Sequence, residues 1–176
     1  MSEYNLSHSE KFDAERMPLK NLKANEERYV IPPFQRPYRW GETQVTTLMN
    51  DLLDFFTKHS NDGETYSLGT IVCESSGNLY EILDGQQRLT TMDLLLDVLG
   101  QKTASFKHER LVSAYRYLNG KFNELETELP KCDIQRNLIV SSLSKFIEEN
   151  GFQEDELKEK AFYEGLRKLV SEKVLI

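Results

Sequence analysis

The stretch from Leu79 to Gly100 constrains the fold most. A β-prone run, Leu79–Leu83, meets Asp84-Gly85 and passes at once into Gln86–Leu99, whose apolar residues lie on more than one face. A helix of that pattern has to be covered on several sides, so it must pack between a sheet and other helices. Gly100 is a suitable stop for it. Upstream, Tyr66–Glu74 is a second β-prone run, and Ser75-Ser76-Gly77-Asn78 between the two has turn composition. An antiparallel hairpin is predicted, with a sheet edge leading into Asp84-Gly85.

The flanking sequence fills in an α+β domain. Arg28–Ile31 reads as a short strand, and Pro32, Pro33 and Pro37 then hold the chain extended as a stiff loop. Val45, Leu48, Met49, Leu52, Leu53 and Phe56 recur at helical spacing, predicting an amphipathic helix that ends near Lys58-His59-Ser60. Helices are predicted over about 106–119, 133–149 and 153–171, separated by Gly120, Pro130 and Asn150-Gly151. Lys173–Ile176 reads as the opening of a strand with no partner left in the sequence, which suggests continuation into a larger protein. The organisation expected is a polar arm over 1–18, a mixed α/β unit over 19–104 and a helical subdomain over 105–176.

Composition narrows the function classes. No stretch approaches the roughly 20 apolar residues of a membrane span, and the polar start lacks a signal peptide's apolar core, so a cytoplasmic protein is expected. Lys plus Arg number 22 against 29 Asp plus Glu, a net charge of -7, which disfavours coating of a polyanion by the average surface. Cys73 and Cys132 lack metal-ligand spacing, and His8, His59 and His108 are too scattered to pair as ligands. Cys73 reads as a small buried apolar residue. Asp51 and Asp54, one helical turn apart, are near enough for a Mg²⁺ pair, although two acids on a helix are more commonly a solvated edge or arginine partners.

Two segments carry candidate chemistry. A strand that turns through Asp84-Gly85 into a helix is a natural anion site, because free N–H groups at the helix start point outward and the helix dipole adds roughly half a positive charge. Gly85 permits a left-handed turn and close approach of a phosphate, and Arg88 can fork onto phosphate oxygens. Gln86 and Gln87 offer neutral donors and acceptors. Asp84 is suited to hold Mg²⁺, to cap the helix or to orient an attacking water. The competing description is an ordinary strand-to-helix corner with a surface arginine. The second segment, Ile31–Trp40, sets Gln35, Arg36 and Arg39 among Phe34, Tyr38 and Trp40 in the proline-stiffened loop. Its aromatics are expected to pack in the core, with Gln35 and Arg36 facing a ligand.

The blocks I-P-P-F-Q-R-P-Y-R-W, L-G-T-I-V and L-D-G-Q-Q-R-L-T-T, in that order, resemble the signature of the GmrSD-type restriction endonuclease N-terminal domain. The resemblance is strong over about residues 19–100 and weaker beyond. It implies a ParB- and sulfiredoxin-like small mixed sheet with packed helices, followed by a helical half. It further implies a nucleotide-binding domain, an NTPase, that regulates a C-terminal His-Asn-His nuclease domain acting on modified phage DNA. Carried over, the motif falls on Gln35, Arg36, Gly85, Gln86 and Arg88 as nucleotide-binding residues, and on Asp84, Gln87 and Arg88 as catalytic ones. Asp84 would be the metal ligand, with Mg²⁺ and a nucleoside triphosphate as cofactor and ligand. Sulfiredoxins need a cysteine after the glycine, where this chain has Gln86, so thiol repair is set aside. The family's later F-x-x-x-N-x-x-G block and the nuclease motif do not occur before Ile176. Two other classes remain open: a ParB-like nucleic-acid-binding module without hydrolysis, in which Arg36, Tyr38, Arg39 and Trp40 meet phosphate and base, and a protein-interaction domain of a defence operon.

Overall fold

The computed structural model describes residues 13–23, 28–30, 35–36, 38–59, 63–76, 79–103 and 129–176. Calls on Phe34, His8, His108, the polar arm up to residue 12 and the helix at 106–119 lie outside the described residues.

Strand β1 (Arg28–Val30) precedes the loop, and helix α1 (Glu42–His59) follows it. Val45, Leu48, Met49, Leu52 and Leu53 are its buried face, as the spacing predicts. Glu42 in the first turn and Lys58 and His59 in the last complement the helix dipole. Strands β2 (Tyr66–Ser67), β3 (Val72–Ser76) and β4 (Leu79–Asp84) come next, then α2 (Gln86–Thr103). The chain closes with α3 (Leu129–Glu149), α4 (Glu156–Glu172) and β5 (Val174–Leu175).

A mixed sheet runs in the order β1-β4-β3, with β1 parallel to β4 and β3 antiparallel to it. The hairpin is therefore present, but β4 lies at the sheet's centre rather than its edge, because Arg28–Val30 pairs with Leu79–Glu81. The run Tyr66–Glu74 is also not one strand. Leu68–Ile71 leaves the ladder at Gly69, whose φ of 96° is a left-handed conformation suited to glycine.

The C-terminal strand, expected to lack a partner, has two neighbours. Tyr66–Ser67 pairs with Val174–Leu175 in parallel, and Met17 and Ile176 exchange backbone bonds of 3.2 and 3.0 Å on the opposite side. Parallel pairing between segments more than a hundred residues apart leaves no local signal, so the partner had to be found in three dimensions.

Two helix boundaries also shift. Pro130 belongs to the first turn of α3 rather than ending a helix, a position where the missing N–H costs nothing. Helix α4 starts at Glu156 because the Asp155 side chain accepts from the N–H groups of Leu157 and Lys158. Before it, Gly151 turns left-handed at φ 67° and separates α3 from a short 3₁₀ turn, Phe152–Glu154.

Helix α2 is the centre of the molecule. From Leu89 to Leu96 every residue is buried, and the helix packs chiefly against α3 and α4. Leu19, Val45, Leu52, Leu95, Leu143, Leu166 and Val170 belong to one cluster that also takes in Ile82 of β4. Both halves of the chain thus share a single core, and the α2 N-terminus is set on a rigid base.

Candidate functional site

The corner between β4 and α2 is built around Gly85, whose φ of 91° falls in the left-handed region. A Cβ at this position would lie 2.3 Å from Ile71 Cδ1 and 3.4 Å from Arg88 Nη2, so glycine is required by space as well as by conformation. The Gly85 carbonyl accepts from Leu89 N–H at 3.0 Å and opens the helix. The N–H groups of the first helical turn have no partner inside the helix. They belong to residues lining an open cleft of about 130 Å³. Gly85, Gln86, Gln87 and Arg88 form one wall, Gln35, Arg36 and Trp40 the other, and Asp84 stands at the strand end. The seven residues expected from the sequence therefore meet in one place, with Trp40 added.

The two walls are joined by the glutamines. Gln87 Oε1 accepts from the backbone N–H groups of Arg39, at 2.7 Å, and Trp40, at 3.2 Å. Gln86 Nε2 donates to the Arg36 carbonyl, and Gln35 Nε2 donates to the Leu83 carbonyl at 2.7 Å. Tyr38 is buried, and its hydroxyl shares a 2.9 Å bond with Thr91 Oγ1. Gln135 of α3 donates to the Trp40 carbonyl at 2.5 Å. Backbone groups of the loop that would otherwise seek water are held by fixed side chains, which is how so irregular a segment can lie against a helix end.

The hydrogen bonds show what each side chain holds. Gln87, expected to be catalytic, has its amide oxygen engaged by the loop N–H groups of Arg39 and Trp40. Gln86 likewise holds the Arg36 backbone. Arg88 is not an open fork: Nη1 donates to the Leu68 carbonyl at 3.0 Å, and Nη2 to the Thr70 carbonyl at 2.9 Å. Asp84 Oδ2 lies 3.5 Å from Arg88 Nη2. That carboxylate is 74% exposed, so the pair is a weak one and Asp84 is accessible from the cleft. Arg36 is exposed.

Signals for some of these contacts were absent from the sequence. Gln135 lies 95 positions from the carbonyl it binds, and nothing in α3 marks it. The Leu68 and Thr70 carbonyls are backbone groups without a side-chain signature, though Gly69 between them was visible.

Outside the cleft, His59, Asp54 and Cys73 make the following contacts. His59 stacks on Phe55 and sits 3.1 Å from Glu64. Asp54 pairs with Lys58 at 2.7 Å rather than with an arginine of the loop. Cys73 is half-buried in β3, and burial pushes its thiol from 9.0 to about 11, the opposite of an activated nucleophile. Among the described residues no three His, Cys, Asp or Glu side chains converge as metal ligands, and no helix is long and apolar enough to cross a membrane.

Comparison with known proteins agrees with the motif blocks. The family model for the GmrSD restriction endonuclease, N-terminal domain, matches residues 19–173. No curated protein matches the chain.

Proposed function

The chain belongs to the GmrSD restriction endonuclease N-terminal domain family, and from that membership we propose that its cleft binds the phosphates of a nucleoside triphosphate and makes the domain a nucleotide-dependent regulator of DNA restriction. The observation that carries this reading is the helix start at Gly85–Arg88, opened by a left-handed glycine and faced by the exposed Arg36 across the cleft. Partial positive charge from the helix end and a full charge from arginine converge on one small space. A cleft of about 130 Å³ suits a phosphate chain, with base and sugar lying outward past Trp40.

Among the described residues, Asp84 is the one carboxylate lining that cleft. A single protein carboxylate is a sufficient anchor for Mg²⁺ when phosphate oxygens and waters complete the octahedron. The donor set therefore fits Mg²⁺ held jointly with a nucleotide, and does not fit a metal held by protein alone. Bound there, Mg²⁺ would neutralise phosphate charge. Arg36 would hold the outer phosphate, Gly85 would let it approach the backbone, and Asp84 would orient a water for hydrolysis. Gln86 and Gln87 keep the opposite wall in register. In the full-length protein, nucleotide occupancy would bias a C-terminal His-Asn-His nuclease domain, and DNA would be engaged through the whole protein.

Calorimetric titration with ATP, GTP, CTP and UTP in Mg²⁺ tests this. One of them should bind wild type saturably, and Arg36→Ala should weaken it about tenfold or more, the loss of one charge-assisted contact. Arg36 is the cleaner variant because its exposed side chain does not staple the fold. Equal affinities for both proteins, or no binding to wild type, would refute the reading. Salt-sensitive binding of an oligonucleotide without mononucleotide binding would replace it by the nucleic-acid module.

A further inference from the structure

Arg88 sits between two systems. On one side it lines the cleft. On the other its guanidinium holds the carbonyls that flank Gly69, those of Leu68 and Thr70, at 3.0 and 2.9 Å. The fit is close: a Cβ on Gly69 would fall 2.1 Å from Arg88 Nη1. Leu68, whose carbonyl Arg88 holds, uses its own N–H to bond the Leu175 carbonyl at 2.8 Å. Two residues earlier, Tyr66 N–H bonds the Lys173 carbonyl at 2.9 Å, and beyond β5 Ile176 bonds Met17. A continuous hydrogen-bonded path thus runs from the cleft through Leu68 to the strand pair β2–β5 and the segment at residue 17.

The guanidinium is held mainly by neutral acceptors. Ionised phosphate oxygens make hydrogen bonds to arginine roughly twice as strong as neutral acceptors do. A phosphate ligand in the cleft therefore competes for Arg88, and any transfer of the guanidinium leaves the Leu68 and Thr70 carbonyls without their partner. Resting on the reading of the cleft as a phosphate site, we propose that Arg88 couples nucleotide occupancy to the β2–β5 strand pair. Phosphate draws the guanidinium off the Gly69 turn, and the Leu68–Leu175 bond loosens. The coupling is reciprocal: whatever tightens β2–β5 weakens the ligand, and whatever loosens it strengthens binding.

Hydrogen exchange by NMR on the full chain reads this directly. Exchange at the Leu68 and Ile176 amides is measured with and without saturating ATP, GTP, CTP, UTP or inorganic triphosphate, each with Mg²⁺, with the Leu95 amide of α2 as a control. The ligand that binds should speed exchange at Leu68 at least about fivefold, the lower end of typical coupling, and leave Leu95 no faster. Gly69→Ala, which forces Arg88 away, should show the faster exchange without ligand and little further response. Should that variant not fold, Arg88→Lys serves in its place, because an ammonium keeps the charge but cannot fork both carbonyls. It should exchange faster at Leu68 when free and respond less than twofold to ligand. A ligand that binds wild type while exchange at Leu68 stays the same or slows overturns the coupling and leaves the phosphate site standing. A wild type that binds none of the probes removes both.

Discussion

A buried amide oxygen that accepts two backbone N–H groups is committed to structure, since withdrawing it strands both donors. Gln87 is 6% exposed and is held this way by Arg39 and Trp40. Gln87→Met keeps the volume and removes the acceptor, so it should cost about 1–3 kcal/mol in a urea denaturation series. An unchanged midpoint would show that the loop does not depend on it. Gly85→Ala should cost at least about 1–2 kcal/mol from the left-handed backbone, with displacement of Ile71 in addition. Cys73 makes a pH prediction. Burial raises its pKa from 9.0 to about 11, so the folded state holds the thiol proton more tightly than the unfolded chain does. The stability this contributes is fully present below pH 9 and is lost as pH rises towards 11. Tyr66 is raised from its ordinary 10.0 by burial and then by Asp51, and adds a loss at the alkaline end of the same range. The denaturation midpoint should fall across that range, less steeply in Cys73→Ala. A flat profile in wild type would contradict the burial of both groups.

At the scale of elements, legibility followed the reach of the signal. Helix α1 is legible because an amphipathic period is local, and α2 because its apolar residues lie on more than one face. The site was legible as two motif blocks, one on each wall of the cleft. Their linkage by Gln86, Gln87 and Gln135 was not, because an amide is equally at home on ligand, water or backbone. The residues between β2 and β3 are β-prone, so the sequence reads as one run, and only the Gly69 turn with its arginine staple separates the two. Pro130 is ambiguous in the sequence, since proline suits a first helical turn as well as a break, and the structure puts it in the first turn of α3. The central role of α2 sets a contrast in mutational cost. Leu95→Ala, at a fully buried position between helices, should destabilise by about 2–5 kcal/mol. Leu83→Ala on β4, which is 37% exposed, should cost far less. Comparable losses at the two sites in thermal or urea denaturation would mean that the core is not centred on α2.

For the whole molecule, the first and last described segments close on each other. Met17 and Pro18 meet Leu175 and Ile176, Val174 is fully buried, and Lys173 Nζ reaches the His59 carbonyl at 2.8 Å. Removing Val174–Ile176 should therefore lower the denaturation midpoint and open the Leu68 amide, which loses its Leu175 acceptor, to exchange, although it lies about a hundred residues away in sequence. The net charge of -7 disfavours DNA on the average surface, so the proposed phosphate site has to rest on local charge at one helix end. Whether phosphate seats at that helix end is decided by NMR titration of the intact chain with nucleoside triphosphate and Mg²⁺. The backbone amides of Gly85, Gln86, Gln87 and Arg88 should show the largest saturable shifts. Saturable nucleotide binding that leaves those four amides unmoved would contradict it.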